Sequence, residues 1–104
     1  MNAALEQFAA EHLPAGWSLV WGGTTAGCRG NARPSSRTIH IESRRWWIRD
    51  LLWTLAHEIA HAIARDFADE HNAAWRREIN RLFGLLRRQH AAEISARPLV
   101  QITT

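Results

Sequence analysis

The chain has no lysine, no tyrosine and one cysteine, and no apolar run approaches the length of about 18 residues that a membrane span requires. A single cysteine, Cys28, excludes an internal disulfide and a four-cysteine structural zinc site. Such a thiol is expected to be a small buried hydrophobe. The segment from Met1 to His12 carries Glu6 and Glu11 and has no basic stretch ahead of an apolar run, so it does not read as a secretory signal. A cytoplasmic protein of bacterial or phage origin, with no membrane partner, is the expectation. The absence of lysine means that all 13 basic residues are arginine. Arginine's very high pKa lifts the sequence pI to about 10.9 although the net charge is only +3. The basic character therefore carries little weight as a sign of nucleic-acid binding. With 104 residues, one domain spanning 1–104 is expected, with a modest core.

Asn2 is a plausible N-cap for a helix to about His12, with Leu5, Phe8, Ala9 and His12 on one face, and Pro14-Ala15-Gly16 ends it. Trp17 to Trp21 alternates as a strand does. Residues 26–32 are ambiguous but could form one arm of a hairpin, with Arg33-Pro34-Ser35-Ser36 as its turn. Arg37 to Ser43 is the clearest strand: Ile39 and Ile41 share one face, and Thr38, His40 and Glu42 share the other. A helix is predicted from about Trp46 to Phe67 and a second from about Asn72 to His90, with Trp75, Ile79, Leu82, Phe83 and Leu86 as its core stripe. Residues 97–102 can add a strand or lie loosely. The order is helix, small antiparallel sheet, two helices, which defines an α+β domain.

Within the first long helix stands His57-Glu58-Ile59-Ala60-His61, an H-E-x-x-H pentapeptide. Two histidines four residues apart lie about 40° apart around a helix, so both imidazoles can meet one ion. The glutamate beside the first histidine can hold and deprotonate a water on that ion, as in metallopeptidases, whose usual metal is Zn²⁺. Leu52, Leu55, Ala56, Ile59 and Ile63 form an apolar stripe, and the two histidines are expected on the opposite face, beside Thr54 and Ala64. A solvated face that happens to carry two histidines is the competing reading. A catalytic zinc takes three protein ligands and keeps a fourth position open. Ala64 and Phe67 stand where the metzincin pattern requires glycine and histidine, which excludes that subclass. The third ligand is therefore expected from the next helix. The candidates are Asp66, Asp69, Glu70, His71 and Glu78, with His71 favoured by its place at a helix start and a glutamate as its main competitor.

The strand Arg-Thr-Ile-His-Ile-Glu-Ser, the His-Glu-Ile-Ala-His-Ala helix and then His71-Asn72-Ala73-Ala74-Trp75 together resemble the SprT-like, Spartan-related zinc metallopeptidases. The resemblance covers about residues 17 to 85. It implies a minimal zincin-like fold, a small sheet packed on an active-site helix plus a following helix. It implies one zinc per chain on His57, His61 and His71, with Glu58 as catalytic base. It also implies a link to DNA, since relatives digest proteins crosslinked to DNA. Many relatives carry a Cys-rich zinc ribbon after the catalytic domain, and these 104 residues hold none, so any DNA contact is expected from the domain surface or a partner.

The expected activity is zinc-dependent hydrolysis of a protein or peptide substrate, with Arg37 to Ser43 as the edge strand that holds it. His40 reads more simply as a solvent-facing strand residue. No tyrosine is present to stabilise the oxyanion, which leaves an arginine, His40, His90 or the metal alone. Trp46 and Trp47 among Arg44, Arg45 and Arg49 could stack on unpaired bases, but one buried tryptophan with solvated arginines is the simpler reading. Arg77, Arg81 and Arg88 could track phosphates or form a solvated face. Two alternatives are an ImmA/IrrE-like repressor-cleaving peptidase, whose third ligand is a downstream glutamate, and a non-catalytic DNA-binding or adaptor domain. The sequence fixes no oligomeric state.

Overall fold

Asn2 opens the first helix, α1 (Ala3–His12), where its side-chain oxygen accepts the Leu5 N–H at 3.2 Å. The computed structural model describes residues 2–68, 70–96 and 99–102. Leu5, Phe8 and Ala9 turn the apolar face of α1 inward, and the Trp21 indole N–H donates to Glu6 at 2.9 Å, tying the helix to the first strand. That strand, β1 (Ser18–Trp21), is followed by β2 (Gly30–Arg33) and β3 (Thr38–Ile41). β2 and β3 form the hairpin expected around Pro34, with Arg37 in the left-handed region at φ 54°.

The sheet order is β1-β3-β2, with β1 parallel and β2 antiparallel to β3. The sheet is therefore mixed rather than antiparallel. β3, expected as the edge, is the central strand. Its alternation marked the inward face correctly, because Ile39 and Ile41 are fully buried. Alternation says nothing about how many neighbours a strand has, and that is where the expectation failed.

Trp46–Trp47 forms a short β4 that pairs antiparallel with β5 (Leu99–Val100), so the tail does add a strand. The long helix consequently begins later than expected, as α2 (Ile48–Ala64), and stops earlier, at Arg65 in the left-handed conformation (φ 55°). α3 (Ala73–Gln89) starts at Asn72, whose side chain accepts the Trp75 N–H at 2.9 Å. A short α4 (Ala91–Ala96) follows, giving four helices and a small mixed sheet among the described residues.

α2 lies between the sheet and α3. Leu51, Leu52, Leu55, Ala56 and Ile59 are fully buried and meet Ile39 and Ile41 on one side and Ile79, Leu82 and Leu86 of α3 on the other within one core. The expected stripe is present, though Ile63 is only partly buried. On the opposite face Thr54, Glu58 and His61 are buried as well. Three buried polar side chains on a helix covered from two sides require partners or a purpose, since an uncompensated polar group in such a place costs a few kcal/mol. No helix of the described residues is long and apolar enough to cross a membrane.

Candidate metal centre

His57 and His61 sit one turn apart on α2, and their Nε2 atoms lie 3.0 Å apart. His71 reaches them from the loop before α3. One ligand atom from each of the three lies within 4.8 Å of the others. The ring centroids are 4.7, 5.1 and 5.2 Å apart for the pairs His57–His61, His57–His71 and His61–His71.

The loop that delivers His71 is built around Asp66. Its carboxylate accepts the Glu70 N–H at 3.1 Å and the Asn72 N–H at 3.0 Å, one on each oxygen. Burial pushes the Asp66 carboxyl up, but the N–H groups of Asn72 and Glu70, with His61 and His71 adding to them, outweigh it and hold its pKa below the ordinary value. His71 itself adopts φ 51°, a conformation open to histidine at modest cost, and Arg76 donates to its carbonyl at 2.6 Å. Asp66 also acts through its backbone, because the His61 Nδ1 lies 2.7 Å from the Asp66 carbonyl oxygen. A carbonyl only accepts, so Nδ1 carries the proton and Nε2 of neutral His61 presents its lone pair toward the other two rings.

Trp75 backs the cluster. Its ring stacks on His71 at 4.0 Å and 20°, meets His57 edge-on at 5.1 Å, and donates its indole N–H to the His57 carbonyl at 3.3 Å. Read from sequence as core, it is both core and the wall that orients two imidazoles.

These residues suit a divalent transition metal. Tetrahedral zinc with Zn–N bonds of about 2.0–2.1 Å needs nitrogens roughly 3.3 Å apart, close to the observed His57–His61 separation. One histidine is locked in the ligating tautomer by a backbone carbonyl, the usual supporting arrangement for a metal-bound imidazole. Of the competing third ligands, Glu78 is paired with Arg81 at 2.7 Å. The Asp66 carboxylate is taken up by backbone N–H groups, Glu70 is exposed, and Asp69 lies outside the described residues.

Glu58 is 6% exposed and is not part of the histidine cluster. It lines a cavity of about 240 Å³ with His57, His61, Asp66, Phe67 and residues of β2. The strand lies so close that a Cβ on Gly30 would stand 3.0 Å from both Glu58 Cγ and Thr54 Cγ2. Gly30 is therefore part of the site, which the ambiguous reading of residues 26–32 did not reveal. Cys28 was expected to be buried. It is exposed and borders the same cavity, in the loop just before β2.

Among the described residues β2 is an edge of the sheet, and its parity can be fixed. The Arg29 carbonyl accepts the Glu42 N–H at 2.8 Å, and Asn31 pairs with His40 in the same register. Positions 29, 31 and 33 therefore bond inward to β3, while Gly30 and Ala32 turn their N–H and C=O toward the open edge. The side chain of Asn31 shares the far face with His40.

Neither histidine proposed for the oxyanion reaches the cavity. His40 was expected to face solvent, yet it is buried on the far side of the sheet. Its Nδ1 lies 2.9 Å from the Gly22 carbonyl and its Nε2 3.0 Å from Thr38 Oγ1. His90 pairs with Glu93 at 3.0 Å. Trp46 is buried, donates to the Glu42 carbonyl, and has the Arg29 and Arg44 guanidinium groups 5.4 and 5.3 Å from its ring centroid. Trp47 is exposed.

Comparison of the chain with models of known families finds no match, and neither does comparison with curated proteins or with solved structures.

Proposed function

We propose that this chain is a zinc-dependent metallopeptidase of the SprT-like, zincin type. The observation that carries the reading is the convergence of His57, His61 and His71 beside a buried glutamate that is not part of their cluster, next to a strand that is an edge of the sheet among the described residues. His57, His61 and His71 would hold the metal. Zinc bound there supplies Lewis acidity, lowering the pKa of a bound water toward about 7 and polarising the scissile carbonyl. Glu58 takes the proton of the attacking water and returns it to the leaving amine. Its burial beside Gly30, at the wall of the cavity, restricts its rotamers. Gly30 and Ala32 offer backbone N–H and C=O groups to an extended substrate, which adds a strand to β2. That role belongs to β2, not to the strand at 38–41.

DNA-associated proteins as substrates rest on the sequence resemblance alone. The ImmA/IrrE-like alternative needs Glu78 as ligand, and its ion pair with Arg81 speaks against that. The test is digestion of a denatured protein by the zinc-loaded chain and by Glu58→Gln, with and without single- or double-stranded DNA. Cleavage by the wild type, absent in Glu58→Gln while zinc is retained, is the expected result. A wild type that binds zinc and cleaves nothing under any of these conditions is instead an adaptor or binding domain.

A further inference from the structure

The cavity beside Glu58 is one half of a longer groove. A second cavity, of about 350 Å³, shares Cys28, Gly30, His57 and Glu58 with it and continues along α2 to Trp53. His57 and Glu58, which line both halves, thus stand midway, with Phe67 bordering one half and Trp53 the other. Both aromatics are large and exposed, Trp53 at 42% and Phe67 at 39%. Single exposed apolar residues are ordinary. Two that flank the same reactive centre from opposite ends are a different matter, and here both are braced. Trp53 meets Phe83 edge-on at 5.1 Å and 84°, and Phe67 stacks on Trp17 at 5.8 Å and 6°. Bracing lowers the conformational entropy lost when a ligand covers such a ring.

The direction of a bound chain follows from β2. Trp53 shares its half of the groove with Arg29 and Gly30, at the start of that strand, and Phe67 shares its half with Asn31 and Ala32, farther along. A peptide pairing antiparallel with Gly30 and Ala32, the more stable pairing per residue, enters past Phe67 and leaves past Trp53. We propose that Phe67 and Trp53 are specificity-determining residues that select extended peptides with bulky apolar side chains on both sides of the cleaved bond. Phe67 contacts the N-terminal side of that bond and Trp53 the C-terminal side. Unfolded protein chains, which expose apolar segments that folded proteins bury, carry this chemistry.

The inference rests on the peptidase reading but is tested separately from it. Binding is measured by fluorescence anisotropy on zinc-loaded Glu58→Gln, with two dye-labelled peptides that differ only in a central Leu-Phe or Ser-Gly pair. The Leu-Phe peptide is expected to bind roughly tenfold more tightly. Adding Trp53→Ala should remove most of that preference, and Trp53→Leu should retain it. In a digest of a denatured protein by the otherwise wild-type chain, product mass spectrometry should show Phe67→Ala broadening the residue before the cut and Trp53→Ala the residue after it. Equal binding of the two peptides, cleavage patterns unmoved by either change, or the two effects on exchanged sides would overturn the proposal. Preferential binding with no wild-type cleavage supports the groove and removes the peptidase reading. Cleavage without apolar preference does the reverse.

Discussion

Replacing Gly30 by alanine adds one methyl group at the point where β2 crosses α2. The new Cβ would lie 3.0 Å from Glu58 Cγ, 3.0 Å from Thr54 Cγ2 and 3.1 Å from the His40 carbonyl oxygen. Carbon atoms pack comfortably at about 3.5–4.0 Å, so two contacts are too short by at least half an ångström, and a third, to backbone, limits retreat. Overpacking of this kind costs about 1–3 kcal/mol. Alanine in a strand recovers roughly 0.5–1 kcal/mol relative to glycine, leaving a net loss on the order of 1–2 kcal/mol. For a domain of this size that lowers Tm by about 4–15 °C. The catalytic effect should exceed what the stability loss explains, because Glu58 is what must move and a displacement near 1 Å can cost about a hundredfold in rate. Calorimetry, zinc content and kcat on a peptide substrate test this together, with zinc content expected to be unchanged. Gly27→Ala is the control: its φ of +82° makes alanine strained, but nothing lies within 4 Å of the added Cβ. It should destabilise the protein without a disproportionate loss of kcat. A Gly30→Ala protein with wild-type Tm and wild-type kcat would refute the reasoning.

Further outcomes follow from the supports of the histidines. Asp66→Asn replaces a carboxylate that receives the Glu70 and Asn72 N–H groups. Because the folded-state pKa of Asp66 is depressed, its charge stabilises the fold fully above the unfolded value of about 4, and the contribution is lost as pH falls through the lower folded value. Metal-free wild type and Asp66→Asn should therefore differ in denaturant midpoint at pH 7 and converge in acid. A gap that is constant with pH would count against the carboxylate as its source. Trp75→Phe should lose the bond to the His57 carbonyl and weaken zinc affinity about 10–100-fold while the core stays filled. Competitive metal titration against a chromogenic chelator measures this, and unchanged affinity would reduce Trp75 to packing alone.

The legible parts of this chain were those written in local patterns. The spacing of His57 and His61 fixes their common direction on any helix. Asn2 and Asn72 announced the starts of α1 and α3, and Ile39 and Ile41 the inward face of β3. What escaped depended on neighbours distant in sequence. That β1 lies parallel to β3 is decided by where the loop 22–29 carries the chain, and no periodicity records it. His40 occupies the alternating position of a solvated residue and is buried because that loop folds back and offers the Gly22 carbonyl. Cys28 and Gly30 looked like unremarkable members of a glycine-rich stretch, yet that stretch is one wall of the site. Asp66 was weighed as a metal ligand when its chemistry is spent on backbone N–H groups that hold His71 in place. The order of the histidines was visible, and the scaffold that makes them converge was not.

The central claim is that His57, His61 and His71 form one metal site, and metal analysis of the purified protein with its His71→Ala and Glu78→Ala variants tests it most directly. About one zinc per chain is expected in the wild type and in Glu78→Ala, with most of it lost in His71→Ala. Wild-type protein without metal that takes up none on titration, or zinc lost with Glu78 and kept without His71, would contradict it.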